Sequence, residues 1–183
     1  MITFTRALAA LACTAGIAAA QQQAINLDVG TNGLHPIPSN VYGAASGQAG
    51  TWNGAAGTVI TAGPVALLDN TGAASGVTIS GTGGAGDFEF DNVNTTGDDD
   101  AMLDDLFDAS TSQWTVAGLN DGLYNVYVYA WAPDARTTFF SDVTIQGGAK
   151  GTVQIGGGDW GGTFVEGTHY LSDQVSISGG SSL

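Results

Sequence analysis

The sequence predicts an all-β fold: an antiparallel β-sandwich of jelly-roll type with one short helix near residues 98–108. Three observations carry that reading. The stretch 113–140, QWTVAGLNDGLYNVYVYAWAPDARTTFF, alternates faces with the period of two that a pleated strand imposes. Glycine, at 29 residues, joins Asn, Asp and Ser in punctuating the chain at short intervals, as all-β turns require. Helical spacing of apolar residues occurs in one stretch only.

Strands are expected at residues 24–29, 58–60, 65–68, 76–80, 88–93, 113–117, 123–131, 137–145, 151–155 and 174–178. Each is a short run bounded by turn residues, and the near-regular spacing points to a sandwich or jelly roll. Within 123–131, Leu123, Asn125, Tyr127, Tyr129 and Trp131 share one face, while Tyr124, Val126, Val128 and Ala130 share the other. Both sets are largely apolar or aromatic. This strand is therefore expected near the centre of the sandwich, covered on both sides or carrying an aromatic outer face. The helix rests on Met102, Leu103, Leu106 and Phe107, which fall at i, i+1, i+4 and i+5. Asp98, Asp99 and Asp100 stand at its start, where carboxylates cap free N–H groups and oppose the positive dipole end. Asp108 sits at the unfavourable end, so the helix should be short and held by packing.

The first twenty residues read as a secretory leader. Arg6 supplies the positive start, an apolar run follows to Ala20, and Ala18-Ala19-Ala20 offers an A-x-A cleavage site before Gln21. The run is too short for a stable bilayer anchor, which needs about 20 apolar residues. A lipoprotein reading through Cys13, preceded by Leu11 and Ala12, is the alternative. The expectation is a secreted or cell-surface protein with no membrane insertion after leader cleavage. Residues 21–183 then form a single β-sandwich domain. Its last strand, near Val175 and Ile177, lacks a following partner, which suggests truncation at the C-terminus.

Cys13 is the single cysteine, so the processed chain holds no disulfide and rests on burial and sheet hydrogen bonds. Seventeen acids then face two cations, Arg136 and Lys150. Nucleic acid is excluded as a partner, because phosphate contacts need several Lys or Arg, and an anionic membrane is excluded by the same sign. Solubility outside the cell accounts for the acidity, with divalent-cation binding as the functional alternative.

Several short motifs recur in a recognisable order. They are INLDVG at 25–30, Tyr42-Gly43-Ala44-Ala45, Thr51-Trp52-Asn53, Leu67-Leu68-Asp69-Asn70-Thr71-Gly72 and Gly76-Val77-Thr78-Ile79. Met102-Leu103-Asp104-Asp105, Trp114-Thr115-Val116-Ala117-Gly118-Leu119, Tyr124-Asn125-Val126-Tyr127-Val128-Tyr129-Ala130 and Arg136-Thr137-Thr138-Phe139 follow. This order resembles secreted bacterial domains found in proteins with a PEP-CTERM sorting tail, which in turn resemble galactose-binding-like and malectin-like jelly rolls. The resemblance covers most of the processed chain and implies an extracellular β-sandwich with carbohydrate binding. A PEP-CTERM tail is not part of this sequence, and the family supplies no settled catalytic or ligand residues to carry over.

Sugar sites pair an aromatic face with a few hydrogen-bonding groups. Tyr42 with Trp52 and Asn53, and Trp131 with Asp134 and Arg136, form two loops of that kind, and loops at one end of a sandwich can line one site. The bland alternative is that Trp52 plugs the core and Arg136 pairs with one of the many acids. Asp98, Asp99, Asp100 and Asp104 are candidate calcium ligands, although the EF-hand spacing is lacking and helix capping explains the first three without an ion. Asp87, Glu89 and Asp91 alternate along a strand and read as one solvated face. Gly81-Thr82-Gly83-Gly84-Ala85-Gly86 matches G-x-G-x-x-G but precedes a strand, so it reads as a turn and not a dinucleotide loop. Gly156 to Gly162 is another loop, with Trp160 as a lid or a plug.

No G-x-S-x-G or H-E-x-x-H motif is present, and His35 and His169 have no recognisable partner, so no catalytic residue is assigned. The leading expectation is a non-enzymatic secreted module that binds an extracellular polysaccharide or glycan, or belongs to the cell envelope or matrix. A structural or adhesive domain stabilised by calcium is the alternative, and an extracellular glycan hydrolase is a weaker one.

Overall fold

The computed structural model describes residues 23–30, 36–84, 86–89, 91–108, 111–131 and 139–183. The expected leader at 1–20 with Cys13, as well as His35, Asp134 and Arg136, lies outside the described residues. The chain is all-β. Its strands are β1 (Asn26–Val29), β2 (Trp52–Ala55), β3 (Val65–Leu68), β4 (Ala74–Gly83), β5 (Gly86–Glu89), β6 (Asp105–Asp108), β7 (Ser112–Ala117), β8 (Gly122–Tyr129), β9 (Phe140–Thr144), β10 (Thr152–Gly156) and β11 (Tyr170–Ile177). Two six-residue helices, α1 (Gly57–Ala62) and α2 (Asp98–Leu103), interrupt them.

Four of the five sheets formed by the described residues are antiparallel: β3-β4-β7, β5-β6, β8-β11 and β9-β10. The fifth pairs β1 with β2 in parallel, which a purely antiparallel expectation omits. A parallel pair needs a long crossover, and the segment between residues 29 and 52 supplies it. The β3–β4 hairpin is closed by Asp69, whose Oδ1 accepts hydrogen bonds from the Thr71 N–H at 2.9 Å, the Thr71 hydroxyl at 2.6 Å and the Ala73 N–H at 3.0 Å. Leu183 exchanges both backbone hydrogen bonds with Val116 of β7, at 3.0 and 2.9 Å.

Inward faces of different sheets meet at one apolar core. Val77 and Ile79 come from β4, Tyr124 from β8, Ile155 from β10, and Leu171, Val175 and Ile177 from β11. Each fully buried aliphatic side chain contributes about 1.5–3 kcal/mol, so this cluster carries the fold in place of covalent staples. β8 divides its faces as the alternation requires. Val126, Val128 and Ala130 pack against the core, whereas Tyr127 and Tyr129 form an aromatic outer face with Tyr170. Among the described residues β8 has a single ladder partner, β11, so it is not flanked on both edges.

Two expected elements differ. Residues 58–60 form part of helix α1 instead of a strand. Ile60 is wholly buried, and Asp87 of β5 accepts hydrogen bonds from the first helical N–H groups, Gly57 at 2.5 Å and Thr58 at 3.2 Å, and from the Thr58 hydroxyl at 2.6 Å. A tertiary cap and a buried anchor thus overrule the strand preference of Thr58, Val59 and Ile60. Asp87 is accordingly a cap, not one member of a solvated acidic face. The helix expected over 98–108 ends at Leu103, and Leu106 and Phe107 belong to β6, opposite Phe88 and Asp87 of β5. The stop is Asp104, which is wholly buried; its Oδ2 accepts the Asn92 N–H at 2.7 Å and the Thr95 hydroxyl at 2.8 Å. Gly97 occupies the N-cap position without a side-chain cap, and Asp98 and Asp99 make tertiary contacts instead.

Candidate functional site

A cleft of about 620 Å³ opens between the 41–47 loop and the 160–164 loop, with Asp99 of α2 and Tyr170 of β11 completing its walls. Tyr42, Trp160, Phe164 and Tyr170 line it with rings, and Thr163 adds a hydroxyl. The Tyr42 hydroxyl donates to Asp99 Oδ1 at 2.6 Å. Burial and then that hydrogen bond raise the Tyr42 phenol far above its ordinary range, so it remains a proton donor.

The 41–47 wall is built by a tight turn. Residues Ala44–Ser46 form one turn of 3-10 helix closed by Gly47 in the left-handed region. A Cβ on Gly43 would meet the Gly47 carbonyl carbon at 2.5 Å, so the turn tolerates only glycine there. Ala44, at φ 45°, is the one non-glycine residue with positive φ among the described residues, and it lines the cleft. Such backbone strain concentrates where surrounding structure over-determines it, as at ligand clamps. Here the determinant is Tyr129 of β8, whose half-buried hydroxyl accepts the Ala45 N–H at 3.0 Å; loss of hydration pushes its pKa up to about 12.

The opposite wall is held by His169, which is 2 % exposed. Its Nδ1 accepts the Val165 N–H at 2.9 Å, so the proton sits on Nε2, directed at the Asp159 carbonyl at 3.4 Å. Burial lowers the imidazole pKa, and the Nδ1 contact requires the neutral ring. Trp131, Trp160 and Phe164 pack edge to face around it, with centroids 5.2, 5.2 and 6.3 Å away. Trp160 meets Phe164 at 4.8 Å, and Phe164 meets Tyr129 at 5.4 Å. Trp160 is 7 % exposed, a buried plug behind the cleft, whereas Tyr42, Phe164 and Tyr170 are half-buried and more accessible.

Of the residues expected to contact sugar, Tyr42 lines the cleft. Trp52 and Trp131 are buried and brace the walls. The Trp52 indole N–H donates to the Tyr42 carbonyl at 3.0 Å and its ring lies 5.9 Å from the Tyr42 ring. Trp131 packs 6.2 Å behind Trp160 and donates to the Gly158 carbonyl at 2.8 Å. Asn53 bridges strands: its Nδ2 donates to the carbonyls of Asn26 and Leu68, each at 2.9 Å, and its Oδ1 accepts the Leu68 N–H at 2.8 Å. Trp52 and Trp131 therefore support the walls, and Asp99, Thr163, Phe164 and Tyr170 join Tyr42 at the surface of the cleft. A pairing signal for Tyr170 exists, since it stands opposite Tyr129 in the β8–β11 ladder. Nothing local in the sequence brings residues 41–47 to residues 160–164.

The acids expected as metal ligands divide. Asp98 accepts the Ser39 N–H at 2.6 Å and the Ser39 hydroxyl at 2.7 Å, and Asp99 faces Tyr42. Asp100 and Asp104 converge with Asp91, each offering an oxygen within 4.8 Å of the others. Three oxygens are half of the six to eight that calcium takes. A second acidic feature lies inside the fold. Asp28 on β1 is 4 % exposed, its Oδ2 has no hydrogen-bond partner, and burial together with the charge of Asp105 pushes its pKa up to about 8.

Comparison with protein-family models, curated proteins and solved structures found no match.

Proposed function

We propose that the chain is a secreted, non-enzymatic β-sandwich module that binds an extracellular polysaccharide through the cleft at Tyr42, Asp99, Phe164 and Tyr170. The observation that carries the reading is the combination, in one open cleft, of accessible aromatic rings with a carboxylate and hydroxyl groups. Sugar C–H faces stack on rings while sugar hydroxyls need polar partners, and both are present on the same walls. Support also comes from pre-organisation. The walls are braced by Trp52, Trp131 and Tyr129, so little ordering remains to be done on binding.

Affinity electrophoresis of the full chain through uncharged polysaccharides tests this. Tyr42→Ala and Tyr170→Ala should each weaken binding by about tenfold, the loss of one stacking ring. Unchanged retention in both variants, with unchanged melting temperature, would remove the cleft as the site. Trp52→Ala and Trp131→Ala are poor probes, because deleting a buried ring costs about 3–5 kcal/mol of stability. Release of reducing ends from a bound polymer would turn the reading toward hydrolysis, which needs a second carboxylate about 5–10 Å from the first.

A further inference from the structure

Resting on that reading, we infer that the cleft selects uncharged glycans and rejects those carrying carboxylate or sulfate groups. The inference comes from the charge the cleft presents. Asp99 lines it, and the group that engages its Oδ1 is a neutral phenol, which orients the carboxylate without neutralising it. Asp98 and Asp100 flank Asp99 in the first turn of α2. The partial positive charge at a helix start is about half a unit and offsets only part of three carboxylates. On the Tyr170 side, the nearby cation is Lys150, and its ammonium lies 2.5 Å from Glu166 Oε1, so the pair adds no net positive charge. Glu166 is held further by the Ser172 N–H at 3.0 Å and the Ser172 hydroxyl at 2.7 Å, which keeps Lys150 on its partner.

An anionic sugar entering the cleft would therefore meet Asp99 without a compensating cation among the described residues, inside a chain whose formal net charge is −14. Like charges juxtaposed at a contact act strongly against binding, whereas a sugar hydroxyl donating to the Asp99 carboxylate is a charge-assisted hydrogen bond. The same group thus attracts one class of glycan and excludes the other.

The experiment compares one polymer in two charge states. The full chain is first screened against uncharged glucan, mannan, xylan and galactan, and the polymer that binds is then carboxymethylated. At about 150 mM salt the carboxymethylated form should bind about tenfold or more weakly, and the gap should narrow as salt rises. Asp99→Asn keeps an oxygen to accept from Tyr42 while removing the charge. It should bring the carboxymethylated and uncharged forms to within about threefold of each other, while the uncharged polymer itself binds more weakly as a charge-assisted hydrogen bond becomes a neutral one. Equal or tighter binding of the carboxymethylated form overturns the inference and leaves the cleft reading standing. Failure of all four polymers to bind, with Tyr42→Ala indistinguishable from the parent chain, removes both.

Discussion

Asp28 places a carboxylate where water does not reach, on the inward side of β1, with Asp105 as an electrostatic neighbour. A carboxyl whose pKa in the fold is about 8, against 3.8 when exposed, binds its proton more tightly folded than unfolded. Its stabilising contribution is complete below pH 4 and is lost as pH climbs toward 8. Glu166 acts in the opposite sense and in another window. Lys150 and Ser172 lower its pKa to about 2, so its contribution is present above about pH 4.5 and lost on acidification below that. Both partners of that ion pair are substantially exposed, so its weight is small. Asp28→Asn should therefore flatten the decline between pH 4 and 8, and at pH 8 the variant should be the more stable by on the order of 3 kcal/mol. Urea unfolding at several pH values reads this directly, and parallel curves for the two proteins would refute it. Asp28 was invisible as a special residue in the sequence, where it is one alternate position in INLDVG. Burial of a carboxylate depends on which strand lies across from it, and β6 lies about eighty residues further on.

Among the elements, α1 shows how packing decides what propensity leaves open. Its residues Thr58 to Thr61 are β-branched, and residues 58–60 read as a strand, yet Asp87 caps them and Ile60 anchors them. Gly57 matters here because Phe107 of β6 occupies the space its side chain would take; a Cβ would lie 2.1 Å from the ring. The same ring approaches Gly84 from its far edge, where a Cβ would sit 1.9 Å away, and Trp114 meets it at 5.2 Å. In the G-x-G-x-x-G look-alike, expected as a turn, Gly81 to Gly83 belong to β4 and Gly86 begins β5, so a strand and not a helix follows it, and its glycine at 84 has a packing reason. Replacing Gly by Ala inside a helix ordinarily gains about 1 kcal/mol, whereas overpacking a closed site costs about 1–3 kcal/mol. With Phe107 enclosed on both sides the second effect wins. Gly57→Ala should lower stability by about 1–2 kcal/mol, and Gly57→Ala combined with Phe107→Leu should lose less than the sum of the two single changes. Additive losses by thermal or urea unfolding would show that the ring has room to move. A strand such as β4, where Val77 and Ile79 alternate with Thr78 and Ser80, was legible because the period is local. β2 was not, because WNGA carries no alternation, and it becomes a strand through its parallel pairing with β1.

At the scale of the whole molecule, all-β architecture and acidity could be read from composition, whereas the cleft could not. It is assembled from three segments more than fifty residues apart, and the tryptophans most conspicuous in the sequence serve to brace it. Acidity has a consequence that does not depend on any one site. Seventeen acids against three Lys and Arg residues repel one another more in the folded chain than in the expanded one, and salt screens that repulsion within about 10 Å at 0.1 M. The melting temperature should therefore rise by several degrees between about 10 mM and 1 M KCl. The trio Asp91, Asp100 and Asp104 makes the choice of salt informative. If calcium acted by screening alone, calcium chloride and KCl at equal ionic strength would stabilise equally, and Asp100→Asn would respond to both as the parent does. Equal stabilisation is the expected outcome, because Asp104 Oδ2 already accepts hydrogen bonds from Asn92 and Thr95, which leaves the trio short of the ligand number calcium takes. A calcium-specific rise at millimolar concentration that Asp100→Asn abolishes would overturn this, and would assign the three carboxylates to a bound ion that ties α2, and with it Asp99, to the edge of the cleft.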